Sequence, residues 1–290
     1  MTAIEPIDNR PAVDLREEVA RATSFSAVLT WLWWRAAPWV VPAVLVVAWE
    51  ALGRLGVFAP NLVPPPGAVV DAVVKLAADG ELVEHVAVTL GRVAAGFVWG
   101  VAAATVLGVA TGVSATARRL LDPTLQALKA VPSLAWVPLF ILWFGIFEES
   151  KITLIAVGVF FPVYLNLMIA IRGADRKLVE VARINGLSLW ATVRYVLVPG
   201  TLPAYVAGLR GGLALGWMFV VAAELMGASE GLGFLMIDGQ MTGRPAMIIA
   251  ALLLFAVTGK LTDQLLVTVA GRFLVWQDSL ATSEQESSHA

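Results

Sequence analysis

Long apolar runs alternate with short polar segments along most of this chain. A run of about 20 apolar residues is long enough to cross a bilayer as a helix, so the pattern predicts an all-α polytopic membrane protein with about six transmembrane helices. The predicted spans, in chain order, are Trp39 to Leu52, Arg92 to Arg118, Val131 to Phe147, Ile152 to Ile171, Ala204 to Met226 and Pro245 to Val269.

Two segments between the spans have patterns of their own. Gly67 to Ala78 repeats apolar residues at helical spacing, which predicts a helix on the outer membrane surface; a plain extracellular connector is the alternative. Gly227 to Arg244 mixes glycines with apolar residues, which is typical of a re-entrant or interfacial segment.

Small residues and prolines distinguish the second and third predicted spans. The pairs Gly96/Gly100 and Gly108/Gly112 predict a smooth stripe on one helix face, where another helix packs closely. Pro132 and Pro138 predict a bent third span. A bend in a membrane helix either serves helix packing or belongs to a helix that lines a translocation pathway.

The longest polar interruption runs from Arg172 to Pro203. Basic residues clustered between spans mark a cytoplasmic loop. The apolar spacing of this loop predicts two short helices with a sharp turn at Gly186, and Pro199 is expected to end the second helix. An ordinary basic loop without a docking role is the alternative interpretation. The basic residues of the loop are Arg172, Arg176, Lys177, Arg183 and Arg194.

Composition supports a membrane protein and suggests its layout. The chain has 290 residues, of which 59% are hydrophobic and 14% charged, more apolar surface than a soluble domain can bury. Polar ends predict a cytoplasmic N-terminal tail (1–35) and a cytoplasmic C-terminal tail (273–290) around a transmembrane domain (36–272) that contains the polar loop 172–203. Basic residues concentrate in the segments that this layout places inside.

The residue inventory argues against an enzyme. The chain has no cysteine and only two histidines, His85 and His289, so we expect no metal site and no catalytic residues. The only Gly-Lys pair, Gly259-Lys260, lacks the upstream glycine of a phosphate-binding loop. We therefore expect no ATPase site and no cofactor on this chain.

The remaining candidates are transport residues. Glu224 is the most isolated acid in a span; an intramembrane carboxylate is a functional candidate by default, although pairing or solvation near the outer interface is the simpler explanation. Lys260 and Asp263 share a helix face and are expected to pair with each other. The candidate translocation-pathway residues are Pro132, Trp136, Trp143, Tyr164, Asn166, Trp217 and Glu224.

The polar loop carries a recognisable motif. Glu180-Val181-Ala182, then Gly186, then Val196-Leu197-Val198-Pro199 resembles the EAA loop of ABC importer permeases, with Val181 and Val198 as conservative departures. Three further runs are similar to the nitrate, sulfonate, taurine and bicarbonate branch of that family. They are LVPPPGAVVDAV from Leu62, LLDPTLQALKAVPSLAWVPLFILWFG from Leu120 and AELMGASEGLGFLM from Ala223.

The resemblance implies a location, partners and contact residues. It implies a multi-pass protein of the bacterial plasma membrane, a second copy of the chain, two cytoplasmic ATP-binding subunits carrying ATP and magnesium, and an extracytoplasmic binding protein. The coupling residues that it implies are Glu180, Ala182, Arg183, Gly186, Leu187 and Pro199.

The function expected from the resemblance is ATP-driven import of a small oxyanion, with an aliphatic sulfonate or taurine favoured. Nitrate, bicarbonate or a heterocyclic vitamin precursor is the alternative within the class. Two alternatives belong to other classes: an ion-coupled secondary transporter, which predicts paired broken helices in two halves, and a membrane scaffold that only docks partners. We find no such repeat between the halves of the sequence.

Overall fold

The structure is a computed structural model that describes residues 33, 37, 39–59 and 61–274. Its elements are helical throughout that part of the chain, which confirms the predicted all-α membrane fold. The predicted tails lie almost wholly outside the described residues. The chain forms two compact units, Met1–Gly67 and Ala68–Ala290, which we describe separately.

The first unit contains helix α1, described over residues 39–54. Its apolar side chains are largely exposed, as expected of a helix that contacts lipid; Trp39 is 73% exposed. Near its end the Glu50 carboxylate accepts hydrogen bonds from Arg54 Nε at 2.6 Å and from the Gly67 backbone N–H at 3.1 Å. These bonds tie the proline-rich connector back to the helix that precedes it.

The remaining helices follow in chain order. They are α2 (Pro66–Ala78), α3 (Glu81–Val113), α4 (Ala115–Ala130), α5 (Val137–Phe144), α6 (Glu148–Gly173), α7 (Arg176–Ile184), α8 (Leu189–Thr192), α9 (Val198–Leu225), α10 (Leu232–Met241) and α11 (Pro245–Gly271). A 3₁₀ turn, Ser133–Trp136, precedes α5, and a π-helical segment, Val193–Leu197, joins α8 to α9.

In the described part of the chain, four helices are long and apolar enough to cross a membrane: Glu81–Val113, Glu148–Gly173, Val193–Leu225 and Pro245–Gly271. The count is five if α4 and the segment Leu134–Phe144, bent by 89°, form one broken span. The predicted outer helix at Gly67 to Ala78 and the helical part of the predicted re-entrant segment correspond to α2 and α10.

The third predicted span, Val131 to Phe147, is wrong as a continuous helix. Only the 8 residues of α5 are α-helical there, and they extend about 12 Å, less than half of the bilayer core. Pro132 lies in the break before the 3₁₀ turn and Pro138 in the first turn of α5, where a missing backbone N–H is tolerated. The prolines therefore break this span rather than bend it.

The boundaries of the second predicted span also differ. Helix α3 begins at Glu81 rather than at Arg92, so Arg92 lies inside the helix. At the other end Ser114 caps a new helix, α4, by accepting a hydrogen bond from the Ala117 backbone N–H. Charge marks the edge of a span only where the charged group reaches water, and Arg92 is 5% exposed.

The predicted glycine stripe of α3 is confirmed, and it packs against α6. A Cβ atom added at Gly96 would lie 2.5 Å from Ile155, and one added at Gly100 would lie 2.6 Å from the Ala156 carbonyl oxygen. A larger residue would push the two helices apart. Gly212 of α9 approaches α6 in the same way, at Val159 and Val163, so α6 packs closely against both α3 and α9.

Candidate functional site

The α7–α8 loop forms the two helices that the sequence predicts. Asp175 begins α7 by accepting a hydrogen bond from the Lys177 backbone N–H at 2.8 Å, and Ser188 caps α8 through the Ala191 N–H at 3.2 Å. Between the helices Gly186 adopts φ +73°, a left-handed conformation that disfavours residues with a Cβ atom. The Leu187 N–H then donates to the Ala182 carbonyl and closes the turn.

Helix α7 exposes apolar side chains on its surface. Leu178 is 55%, Val181 54% and Ile184 85% exposed. Contiguous exposed apolar residues mark a surface that contacts another protein or a membrane. Glu180 is exposed as well, whereas Ala182 is 3% exposed and packs within this chain.

The second helix of the α7–α8 loop does not end at Pro199, contrary to the prediction. It continues from α8 through the π-helical segment into α9, and Pro199 lies in the first turn of α9. A proline lacks the N–H that would bond to the preceding turn, and the first turn of a helix tolerates that loss. The fifth span consequently begins at Val193 or Val198 instead of Ala204.

The opposite end of the bundle is where α3 and α6 begin and where α9 ends. We call it the far end, because α6 leads from there to the α7–α8 loop. Here the Arg92 guanidinium binds both oxygens of Glu148, at 2.7 and 2.8 Å, and one oxygen of Glu224, at 2.8 Å. Lys151 pairs with Glu148 at 3.0 Å.

Glu224 is buried and has a full set of partners. Its side chain is 0% exposed. Besides Arg92, it accepts hydrogen bonds from the Thr89 hydroxyl at 2.8 Å and from the Gly233 N–H at 2.8 Å. We call Thr89, Arg92, Glu148, Lys151 and Glu224 the Arg92 cluster. Two cations face two carboxylates in it, so the cluster is neutral overall.

The Arg92 cluster fixes the start of α10. Arg92 donates to the Glu230 carbonyl at 2.6 Å, and the Leu232 N–H donates to Thr89 at 2.9 Å. Gly231 adopts φ +113°, and a Cβ atom there would lie 2.6 Å from Arg92 Nη1. A helix N-terminus attracts anions, and here the Glu224 carboxylate occupies that position.

Sequence reasoning missed most of this cluster. It favoured a paired or solvated Glu224 near the outer interface, and the structure shows it paired and buried. Arg92 was interpreted only as the edge of a span, and Thr89 and Glu148 had no assigned role. The available signal was that Arg92 and Glu224 are isolated opposite charges at the same predicted membrane face.

The other predicted pathway residues do not converge on one point. Trp136 and Trp143 lie with Phe140 along an apolar cavity of about 380 Å³. Tyr164 stacks on Phe160, which also lines that cavity, and is itself 1% exposed. Their role in translocation stays a prediction.

Three more predicted pathway residues lie elsewhere. Asn166 is exposed and donates to the Pro162 carbonyl at 2.8 Å. Trp217 donates to Thr262 of α11 at 2.8 Å. Pro132 is exposed between α4 and the 3₁₀ turn. These three also stay predictions.

The expected Lys260–Asp263 pair is wrong. Asp263 binds Arg210 of α9 instead, through both oxygens at 3.0 and 3.1 Å. An arginine presents two parallel N–H groups to a carboxylate, which a lysine one turn away on the same helix cannot do. The pair joins α9 to α11.

Comparison with known proteins places this architecture in one family. Residues 96–274 match the family described as binding-protein-dependent transport system inner membrane component. The chain is 40% identical to a putative aliphatic sulfonates transport permease protein of Bacillus subtilis, over 83% of this chain and 87% of that protein. It is 38% identical to the protein of the same name from Escherichia coli, over 79% and 87%.

A third relative extends the range of substrates named in the family. The taurine transport system permease protein of Escherichia coli is 32% identical, over 81% of this chain and 87% of that protein. The described residues contain at least four helices that can cross a membrane. Together with the family match, this makes the chain a multi-pass protein of the bacterial inner membrane and a transport subunit. It belongs to the binding-protein-dependent inner membrane components, as an ABC importer permease of the branch that includes the sulfonate and taurine permeases.

Proposed function

We propose that this chain is the permease subunit of an ATP-driven importer of a small oxyanion, with an aliphatic sulfonate or taurine as the substrate. Two sulfonate-named relatives, at 40% and 38% identity, are more similar to it than the taurine-named relative at 32%. Nitrate, bicarbonate or a heterocyclic vitamin precursor remains the alternative substrate. Membership of a binding-protein-dependent transport family argues against the ion-coupled secondary transporter and the scaffold.

The observation that carries the proposal is the apolar surface of α7. A loop with three apolar side chains more than half exposed needs a protein partner to cover them. We assign that partner as the ATP-binding subunit, one for each of two copies of this chain. Glu180, Arg183 and Leu187 belong to the same contact, while Ala182 and Gly186 shape the loop and Pro199 begins the helix behind it.

The chemistry of ATP hydrolysis belongs to the partner in this proposal. ATP and magnesium bind the ATP-binding subunits, and closure of those subunits displaces α7 and α8. Because α8 continues without a loop into α9, the displacement reaches the membrane directly. The binding protein delivers the substrate and performs most of the selection.

Reconstitution of the permease with its ATP-binding subunit in liposomes tests the proposal. We expect the loaded binding protein to stimulate ATP hydrolysis with an aliphatic sulfonate or taurine, and not with nitrate or bicarbonate. Stimulation by nitrate or bicarbonate alone would overturn the substrate assignment and leave the importer in place. Failure of the two subunits to co-purify would overturn the role of the α7–α8 loop.

A further inference from the structure

A polar cleft opens at the far end, beside the Arg92 cluster. Its volume is about 530 Å³, and its walls come from the end of α2, the start of α3, α10 and the start of α11. The charged residues that line it are Lys75, Asp79, Glu81, Glu84, Asp238 and Arg244. The translocation and coupling residues discussed above do not line this cleft, so it needs its own explanation.

The cleft has an excess of negative charge. Arg244 pairs with Asp238 at 2.5 Å, which cancels one charge of each sign. Three carboxylates, of Asp79, Glu81 and Glu84, then face the single ammonium group of Lys75. None of the three is in an ion pair in the part of the chain that the structure describes. An anionic substrate would be repelled here, so the cleft suits a cationic group.

A buried imidazole adds a second feature. His85 is 7% exposed and lines the cleft. Its Nδ1 accepts a hydrogen bond from the Gly231 N–H at 3.0 Å, which leaves Nε2 to carry the proton of the neutral ring. Nε2 makes no hydrogen bond within the described residues, so the cleft offers a donor without an acceptor.

We propose that this cleft receives a lysine or arginine side chain from a loop of the binding protein. The basic side chain meets the free carboxylates, and a backbone carbonyl of the same loop accepts from His85 Nε2. A polypeptide supplies both groups, whereas a free cation supplies only the charge. This inference rests on the proposed function, which places the α7–α8 loop in the cytoplasm and the far end outside.

The position of the cleft gives docking a direct connection to the bundle. His85 bonds to Gly231, and Gly231 lies against Arg92 and Glu224. Phe234 of α10 lines the cleft and its ring centroid lies 5.7 Å from that of His85. A loop inserted here therefore touches the helix that the Arg92 cluster holds against the end of α9.

Charge reversal tests the proposal. The double variant Asp79→Lys/Glu84→Lys is compared with Glu149→Lys, which reverses an exposed acid in the first turn of α6 that does not line the cleft. Both are reconstituted in nanodiscs with the ATP-binding subunit, and affinity for the system's own binding protein is measured at several salt concentrations. We expect the double variant to bind about tenfold more weakly with a reduced salt dependence, and Glu149→Lys to bind normally.

The outcomes separate this inference from the proposed function. Glu149→Lys changes the net charge by half as much as the double variant. If it lowers the binding free energy by half as much or more, net charge alone explains the loss and the cleft is not the docking site. Unchanged binding of the double variant would also overturn it. If the binding protein is unaffected but spermidine or Mg²⁺ binds the wild-type cleft, a small cation is the occupant and the proposal fails. Binding is measured without substrate, so a wrong substrate assignment leaves this test intact.

Discussion

The two ends of the bundle differ in how far their side chains find partners within this chain. At the far end, Glu224 is buried with partners for both oxygens, and its charge is balanced within the chain. At the other end, Ile184 and its apolar neighbours on α7 are exposed, and no described residue covers them. The far end is internally complete around Glu224, whereas the α7–α8 loop presents an exposed apolar surface that we propose the ATP-binding subunit covers.

The largest expected loss of stability, and the strongest test of this comparison, comes from Arg92→Ala. Removing the guanidinium leaves the Glu224 carboxylate buried beside no cation, a change that costs about 3–5 kcal/mol in buried ion pairs. We expect a clear drop in the thermal unfolding temperature of the detergent-solubilised protein. Arg210→Ala, which breaks the more exposed pair with Asp263, is the control and should cost about 1 kcal/mol or less. Equal drops for the two variants would show that the far end is no more tightly held than the surface.

A smaller effect on folding, with a large effect on assembly, is expected from Gly186→Val. A left-handed conformation costs a residue with a Cβ atom about 1–2 kcal/mol, and nothing lies within 4 Å of the added atom to add a clash. We expect membrane insertion to survive and co-purification of the ATP-binding subunit to be lost. Gly173→Val is the control, because Gly173 also has open space around it but no positive φ. Retained binding by Gly186→Val would contradict a role for this turn in docking.

The smallest effect on the isolated chain should come from Ile184→Ser. The side chain is 85% exposed, so its loss should change stability by less than about 0.5 kcal/mol. Association with the ATP-binding subunit should nevertheless weaken, measured as the affinity between the two purified proteins. A variant that binds normally would show that the apolar face of α7 is not the contact, and one that unfolds would show that it packs within this chain.

The sequence was most informative where a local pattern determines local structure. Gly186 between two amphipathic stretches predicts the α7–α8 turn, and paired glycines predict the close-packed face of α3. Both follow from the backbone and from residue size alone. Pro132 and Pro138 were harder, because a proline can bend, break or begin a helix, and the flanking structure decides which occurs.

The far end could not be predicted for a different reason. Arg92, Glu148 and Glu224 come from three helices, and Arg92 is 132 positions from Glu224 in the chain. Nothing in local spacing shows which acid an arginine will meet. For the same reason, local spacing did not predict the partner of Asp263, which pairs with Arg210 on another helix in preference to a lysine one turn away.

One helix joins the two ends. The π-helical segment and α9 together run from Val193 to Leu225, 33 residues without a loop, which is about 50 Å of helix. α8 lies at one end of this rod, and Glu224 lies at the other. If this rod moves as a rigid body, we expect a displacement of α8 to be transmitted to the buried Arg92–Glu224 pair. The π-helical segment and Pro203 lie near one end of the rod, and these are the positions where we expect it to bend.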